Sequence, residues 1–130
     1  MSRINNVRKL VQSILSNSAI TAKHGIKCVS FEDADDDNLF PHIVFSFDTI
    51  NLGDLSRKDL SLIIDIYDKS DSADLVEEIA DDIEDMFNAK NLPQETILPT
   101  FYLENRRPVK DEDKKIRHRQ IEIIVQNYER

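Results

Sequence analysis

Residues 60–88 read LSLIIDIYDKSDSADLVEEIADDIEDMFN, and the spacing of their apolar residues changes partway along. Up to about residue 67 the apolar positions alternate, which predicts a strand with one buried face. They are Leu60, Leu62, Ile64 and Ile66.

From residue 71 to 88 the period lengthens to about 3.6, which predicts an amphipathic helix. Its apolar positions are Leu75, Val76, Ile79, Ala80, Ile83, Met86 and Phe87. Asp71 or Ser72 is placed to cap this helix, and the acids off its stripe are expected to be solvated: Asp81, Asp82, Glu84 and Asp85.

A second alternating run precedes this strand. In LFPHIVFSFDTI, Ile43, Phe45 and Phe47 point to one face, and Pro41 stands at the strand entry, where its missing N–H does no harm. About ten residues separate the two runs, which is short for a crossover, so we expect them to be antiparallel neighbours. Residues 51–54 are expected to form a turn within a loop over 49–58.

The amino-terminal quarter predicts one helix and one short strand. Apolar residues at spacings of three, four and seven indicate a helix over about 3–16, with Ser2 as its cap. They are Ile4, Val7, Val11, Ile14 and Leu15. The polar stretch NSAITAKHG is expected to end this helix, with Gly25 supplying a turn before a strand at 26–31.

The carboxy-terminal quarter predicts two strands around a charged loop. The first strand, ILPTFYLEN, is expected to be interrupted or bounded by Pro99, and the loop over 104–115 carries Pro108. The last strand covers 116–128, with Ile121, Ile123 and Val125 on one face. The predicted fold is therefore α+β: a mainly antiparallel sheet of about four to five strands against two helices, in the order α-β-β-β-α-β-β, as one domain over 1–130.

Composition narrows the classes of function. The net charge of −8 argues against duplex DNA as the main ligand, because DNA binding needs clustered Lys and Arg. No apolar run approaches the roughly 20 residues that span a bilayer, and the first residues lack the features of a signal peptide. The single cysteine, Cys28, cannot form an internal disulfide, so we expect folding in a reducing cytoplasm.

No catalytic or metal motif stands out. The acidic run from Asp33 resembles a calcium loop, but Asn38 and Val44 occupy the positions that require Gly and Glu. The three histidines show no ligand spacing and are expected to be surface or strand residues: His24, His42 and His118. We therefore expect no enzyme activity, no cofactor and no bound metal.

Charge is spread unevenly, and this indicates where partners would bind. One acidic segment and one basic stretch form separate patches of opposite sign, which suit contacts between protein surfaces, including copies of the same protein. The candidate interface residues are Glu32, Asp33, Asp35, Asp36, Asp37, Arg106, Arg107, Lys110, Lys114, Lys115, Arg117 and Arg119. The loops over 32–39, 49–58 and 104–115 are expected to be mobile until a partner orders them. An equal alternative is that both patches are only solvated surface.

Four blocks together resemble a known family. They are FPHIVFSF at 40–47, DLSLIIDIYDK at 59–69, SADLVEEIADDIEDMFN at 72–88 and TFYLENRRPVKDEDKKIRHRQIEIIVQNYE at 100–129. In order and spacing they are similar to the small tail completion proteins of long-tailed bacteriophages, and the last block is the most specific.

The resemblance implies a virion structural protein at the head–tail junction, made in the bacterial host cytoplasm. Its implied partners are the tail tube protein, the head connector or stopper protein, and other copies of itself in a ring, commonly a hexamer; no membrane or specific nucleic acid is implied. Two alternatives stay open beside it. One is a tail terminator that controls tail length, and the other is a small nucleic-acid-associated protein that uses residues 106–119.

Overall fold

The computed structural model describes residues 3–16, 18–32, 39–52, 57–87, 90–91 and 97–129. Within them, three helices and six strands follow in the order α1 (Arg3–Leu15), α2 (Ser18–His24), β1 (Cys28–Phe31), β2 (His42–Leu52), β3 (Arg57–Lys69), α3 (Asp74–Phe87), β4 (Lys90–Asn91), β5 (Ile97–Val109) and β6 (Ile116–Glu129). The predicted α+β class is confirmed.

The described strands form one sheet in the order β1-β2-β3-β6-β5-β4. All pairs are antiparallel except β1 with β2, which is parallel, so the mainly antiparallel prediction is confirmed. The expected pairing of the two alternating runs is also confirmed, with Phe45 opposite Ile64. The sheet has one strand more than the four to five predicted if the two-residue strand β4 is counted.

The helices cover one face of the sheet and bury its apolar side chains. The α1 stripe is confirmed at Val7, Val11 and Leu15, and the side chain of Ile4 lies outside the described part. The α3 stripe is confirmed at Val76, Ile79, Ala80, Ile83 and Phe87, with Leu75 and Met86 half-buried beside it. The strands contribute Ile43, Phe45, Leu60, Leu62, Ile64, Ile66, Phe101, Ile121, Ile123 and Val125. This core accounts for the fold, because each buried aliphatic or aromatic side chain contributes about 1.5–3 kcal/mol.

The segment after α1 was predicted as non-helical, and that prediction is wrong. It forms α2, because Ile20 and His24 lie four residues apart and both turn inward against the rest of the protein. Gly25 ends the helix with φ of 65°, and the N–H of Ile26 donates to the carbonyl of Thr21 at 3.0 Å. This pattern is a Schellman cap, so the predicted turn at Gly25 is confirmed.

Two predicted loops are largely strand. β2 continues to Leu52 and β3 begins at Arg57, which leaves only 53–56 between them, outside the described residues. β5 runs through Pro99 and on to Val109, so neither Pro99 nor the predicted loop start at 104 interrupts it. The reason is that β6 pairs with β5 from Ile97 to Val109, with one bulge between Leu103 and Asn105 and with Pro108 opposite Arg119.

The start of α3 agrees with one of its two predicted caps. Ser72 Oγ accepts a hydrogen bond from the N–H of Asp74 at 3.1 Å. The other predicted cap, Ser2 of α1, lies outside the described residues. Among the described helices, none combines the length and apolar content needed to cross a membrane.

Candidate interaction surface

Arg106 holds α3 against the sheet. It lies on the helix-covered side of β5, and its guanidinium donates to Asp81 at 2.7 Å, to Glu77 at 2.9 Å and to Glu84 at 3.1 Å. Arg119 on β6 donates to the other oxygen of Glu77. Asp81 is 67% exposed, so its predicted solvation is confirmed, although it also pairs with Arg106; Glu84 is mostly buried, and the prediction is wrong for that residue. We call Arg106, Arg119, Glu77, Asp81 and Glu84 the α3 clasp.

The electrostatics of the α3 clasp favour the charged arginine. Burial lowers the pKa of Arg106, because its side chain is only 20% exposed. The hydrogen bond to Asp81 and the charges of Glu77 and Glu84 outweigh that effect, and the pKa of Arg106 is raised overall. The arginine also separates three acids on one helix that would otherwise repel one another.

A second polar contact joins α2 to α3. The Nε2–H of His24 donates to Asp82 Oδ2 at 2.5 Å, and the Lys23 ammonium donates to the same oxygen at 3.0 Å. The ring of His24 is buried, so the prediction of a surface or strand histidine is wrong here, as is that of a solvated Asp82. The hydrogen bond from His24, followed by that from Lys23, lowers the pKa of Asp82.

Replacing Asp82 with asparagine is expected to lower the free energy of unfolding by about 1 kcal/mol at pH 7. Because the folded pKa of Asp82 is depressed, its carboxylate stabilises the protein above its ordinary pKa of 3.8. That stabilisation is lost as the pH falls through the folded value. Urea unfolding at pH 7 and at pH 3 measures the difference, which should shrink at the lower pH.

The matched control is Asp85→Asn, on the exposed side of the same helix, with an expected change below about 0.5 kcal/mol. An Asp82→Asn difference that grows on acidification would contradict the assignment.

The other face of the sheet is not covered by any described helix and carries a continuous polar network. Arg107 donates to Gln120 Oε1, Gln120 Nε2 donates to Asp65 at 3.0 Å, and His118 Nε2 donates to Asp65 at 2.7 Å. Three cross-strand neighbours stack at its end, with ring centroids 4.8 Å apart for His42 and Tyr67 and 4.1 Å apart for Tyr67 and His118. We call this side of the sheet the open face.

The open face mixes polar pairs with apolar positions. Ser61 Oγ donates to Glu122 at 2.6 Å, while Val44, Ile63 and Ile124 are half-buried and Tyr102 is 44% exposed. His42 and His118 are strand residues, as predicted, and both are buried. Among the described residues, no group of three or more His, Cys, Asp or Glu side chains is placed to hold a metal ion.

The β5–β6 hairpin tip is held by its own side chains. Asp111 and Asp113 accept hydrogen bonds from backbone N–H groups two residues on, at 3.0 and 2.9 Å, and the N–H of Ser70 donates to the Lys115 carbonyl at 2.8 Å. The predicted mobile loop over 104–115 is therefore strand to residue 109 and a hydrogen-bonded turn beyond it. A shallow groove of about 740 Å³ lies beside this turn, between Val109 and Ile116.

The structure separates the predicted interface residues into five groups. Arg106 and Arg119 belong to the α3 clasp, and Arg117 donates to the carbonyls of Ser70 and Asp71 at 3.3 and 2.8 Å. Arg107 lies on the open face. The exposed lysines at the hairpin tip are Lys110, Lys114 and Lys115. Of the acidic set, Glu32 is exposed, whereas Asp33, Asp35, Asp36 and Asp37 lie outside the described residues.

Sequence reasoning missed both networks. The open-face network depends on strand register, which brings Asp65 beside Gln120 and Tyr67 beside His118. The alternation of polar residues between the apolar positions of β3 and β6 is the one signal that could have indicated it. The α3 clasp joins residues that lie 22 to 42 positions apart in the chain. The helical period carries no information about contacts over such distances.

Comparison with known proteins shows a likeness in fold. No family model matches the chain, and no curated protein matches its sequence. A solved structure described as the virion of a native gene transfer agent (GTA) particle contains a chain similar in fold, with a TM-score of 0.72 at 10% sequence identity. The match covers 92% of this chain and 91% of that one. The likeness therefore extends over nearly the whole architecture and shows a shared fold.

Proposed function

We propose that this chain is a non-enzymatic virion structural protein that closes the head-proximal end of a tail tube and joins it to the head connector. The observation that carries the proposal is the fold shared with a chain of a GTA virion over 92% of the sequence. The four sequence blocks that resemble tail completion proteins support the same assignment independently.

The surface chemistry is consistent with a building block. The polar clusters of the protein consist of side chains that bind one another. The α3 clasp holds a helix against the sheet, and the open-face network joins neighbouring strands. Three arginines of the basic stretch contact acids or carbonyls of the same chain. They therefore do not form a free basic surface, which argues against the nucleic-acid alternative.

The proposed partners are the tail tube protein, the head connector or stopper protein, and further copies in a ring, for which a hexamer is our working expectation. We assign the contact with tube or connector to the acidic segment from Glu32 to Asp37 and to the exposed lysines of the hairpin tip. Individually weak, salt-sensitive contacts of this kind become strong when several form together on a ring.

Deleting the gene in the producing virus tests the proposal. We expect full heads to accumulate beside unattached tails of normal length, and complementation with the wild-type gene to restore joined particles. Tails of uncontrolled length would instead indicate a terminator. Normal infectious particles that lack this chain would contradict the proposal altogether.

A further inference from the structure

The groove of about 740 Å³ at the tip of the β5–β6 hairpin lies wholly within the described part of the chain. Its apolar lining comes from the strand ends: Val109 is the last residue of β5, Ile116 is the first residue of β6, and Pro108 precedes Val109. Val109 and Ile116 are half-buried, and Pro108 is exposed. An apolar surface open to water between two strand ends can bury a side chain of another molecule. We call it the tip groove.

The turn beside the tip groove is fixed by its own hydrogen bonds. Asp111 and Asp113 each accept a backbone N–H two residues on, and the N–H of Ile116 donates to the Asp113 carbonyl at 3.0 Å. At the base of the hairpin, Arg117 donates to two backbone carbonyls of the segment before α3. Because the turn is already ordered, binding there loses little backbone freedom.

The rim of the tip groove is locally basic, on a chain whose net charge is −8. Lys110 and Lys114 line the groove, Lys115 follows in the chain, and all three are exposed. Within the described part of the chain, none of these lysines forms an ion pair. Among the acids of the turn, Asp113 pairs with a lysine of β3 at 3.8 Å, and the exposed Glu112 offsets one positive charge. The lysines are therefore available to carboxylates of a partner.

The composition of the tip groove favours a protein segment over a nucleic acid. Its lining includes the carboxylates of Asp111, Glu112 and Asp113, which would repel phosphates. Its apolar residues are aliphatic and give bases no aromatic surface on which to stack. An aliphatic side chain flanked by carboxylates matches both the apolar lining and the lysine rim.

We propose that the tip groove binds an acidic segment of another protein, with one aliphatic side chain between Val109 and Ile116 and flanking carboxylates beside the lysine rim. The inference deepens the proposed function and rests on it for the source of the segment, which the tail tube or connector protein would supply. A single site offers one apolar contact and a few exposed ion pairs. We therefore expect a Kd on the order of 0.1–1 mM, with binding that weakens as salt screens the charges.

Titration of the isotope-labelled full chain with the peptide Ser-Glu-Glu-Leu-Glu-Glu-Ser, followed by two-dimensional NMR at low salt, tests the tip groove. The amide signals of residues 108–119 should shift, with a Kd in the expected range. Exchanging the leucine of the peptide for serine, or its glutamates for lysines, should weaken binding at least about tenfold. A short oligothymidylate should bind more weakly than the peptide.

Charge reversal in the protein tests the lysine rim. Lys110→Glu/Lys114→Glu should weaken binding of the leucine peptide at least about tenfold. The matched control is Lys9→Glu/Lys27→Glu, the same charge change at two exposed lysines that do not line the groove, and it should bind like the wild type. Circular dichroism should show an unchanged fold for both variants, because all four side chains are exposed.

Several results would overturn the assignment of the tip groove. They are equal binding of either exchanged peptide, tighter binding of the oligothymidylate, unchanged binding by Lys110→Glu/Lys114→Glu, or no shifts up to about 10 mM peptide. Signals of residues 108–119 that shift with protein concentration alone would overturn it too, because a second copy would then fill the groove. The titration needs no virion, so absence of the chain from virus particles would sink the proposed function and leave the peptide site standing.

Discussion

Replacing Phe101 with alanine is expected to lower the free energy of unfolding by about 3–5 kcal/mol. Phe101 is fully buried on β5, and its ring lies 5.1 Å from that of Phe87 at 62°, an edge-to-face contact that joins α3 to the sheet. Removing the ring leaves a cavity at the point where helix and sheet meet. Denaturant unfolding followed by circular dichroism measures the loss.

The neighbouring residue supplies the matched control. Tyr102 points to the open face and is 44% exposed, so Tyr102→Ala should cost less than about 1 kcal/mol. A comparable loss from both substitutions would mean that the open face is covered in the folded protein and that the two faces of β5 are assigned wrongly.

Replacing Arg106 with alanine is expected to cost about 1–3 kcal/mol. The value lies between those of exposed and buried ion pairs because the arginine is mostly buried while its acidic partners differ in exposure. The substitution removes hydrogen bonds to Glu77, Asp81 and Glu84 and leaves the acids to repel one another. Arg106→Lys should recover only part of the loss, since an ammonium lacks the planar guanidinium that spans these acids.

Arg107→Ala controls for the loss of a positive charge one residue away. Arg107 is exposed, and within the described part of the chain its guanidinium donates only to Gln120, so its removal should cost less than about 0.5 kcal/mol. The comparison uses free energies of unfolding at low and high salt. If Arg107→Ala proved as costly as Arg106→Ala, the α3 clasp would not be what holds α3.

The parts of the fold that follow from local periodicity could be predicted from the sequence. The alternation at Leu60, Leu62, Ile64 and Ile66 and the helical stripe ending at Phe87 each specify a buried face, and both faces are buried as expected. What could not be predicted depends on partners distant in the chain. β5 extends to Val109 because β6 pairs with it, although Pro99 and the charged residues that follow suggest an earlier end.

The same distinction applies to charge. Asp81 and Glu84 fall on the polar side of a helix, and a helical period alone favours solvation there. Only the tertiary approach of Arg106 reveals that they stabilise the packing of α3. The segment 18–24 is a similar case, because a short polar helix gains its stability from contacts such as His24 with Asp82 and not from its own propensity.

We have proposed that the chain is a virion component at the head–tail junction. Electron microscopy of purified particles labelled with an antibody against this chain tests it most directly. We expect label at the junction between head and tail in intact particles, and at the head-proximal end of isolated tails. Particles without label, or label confined to the capsid surface or the distal tail tip, would contradict it.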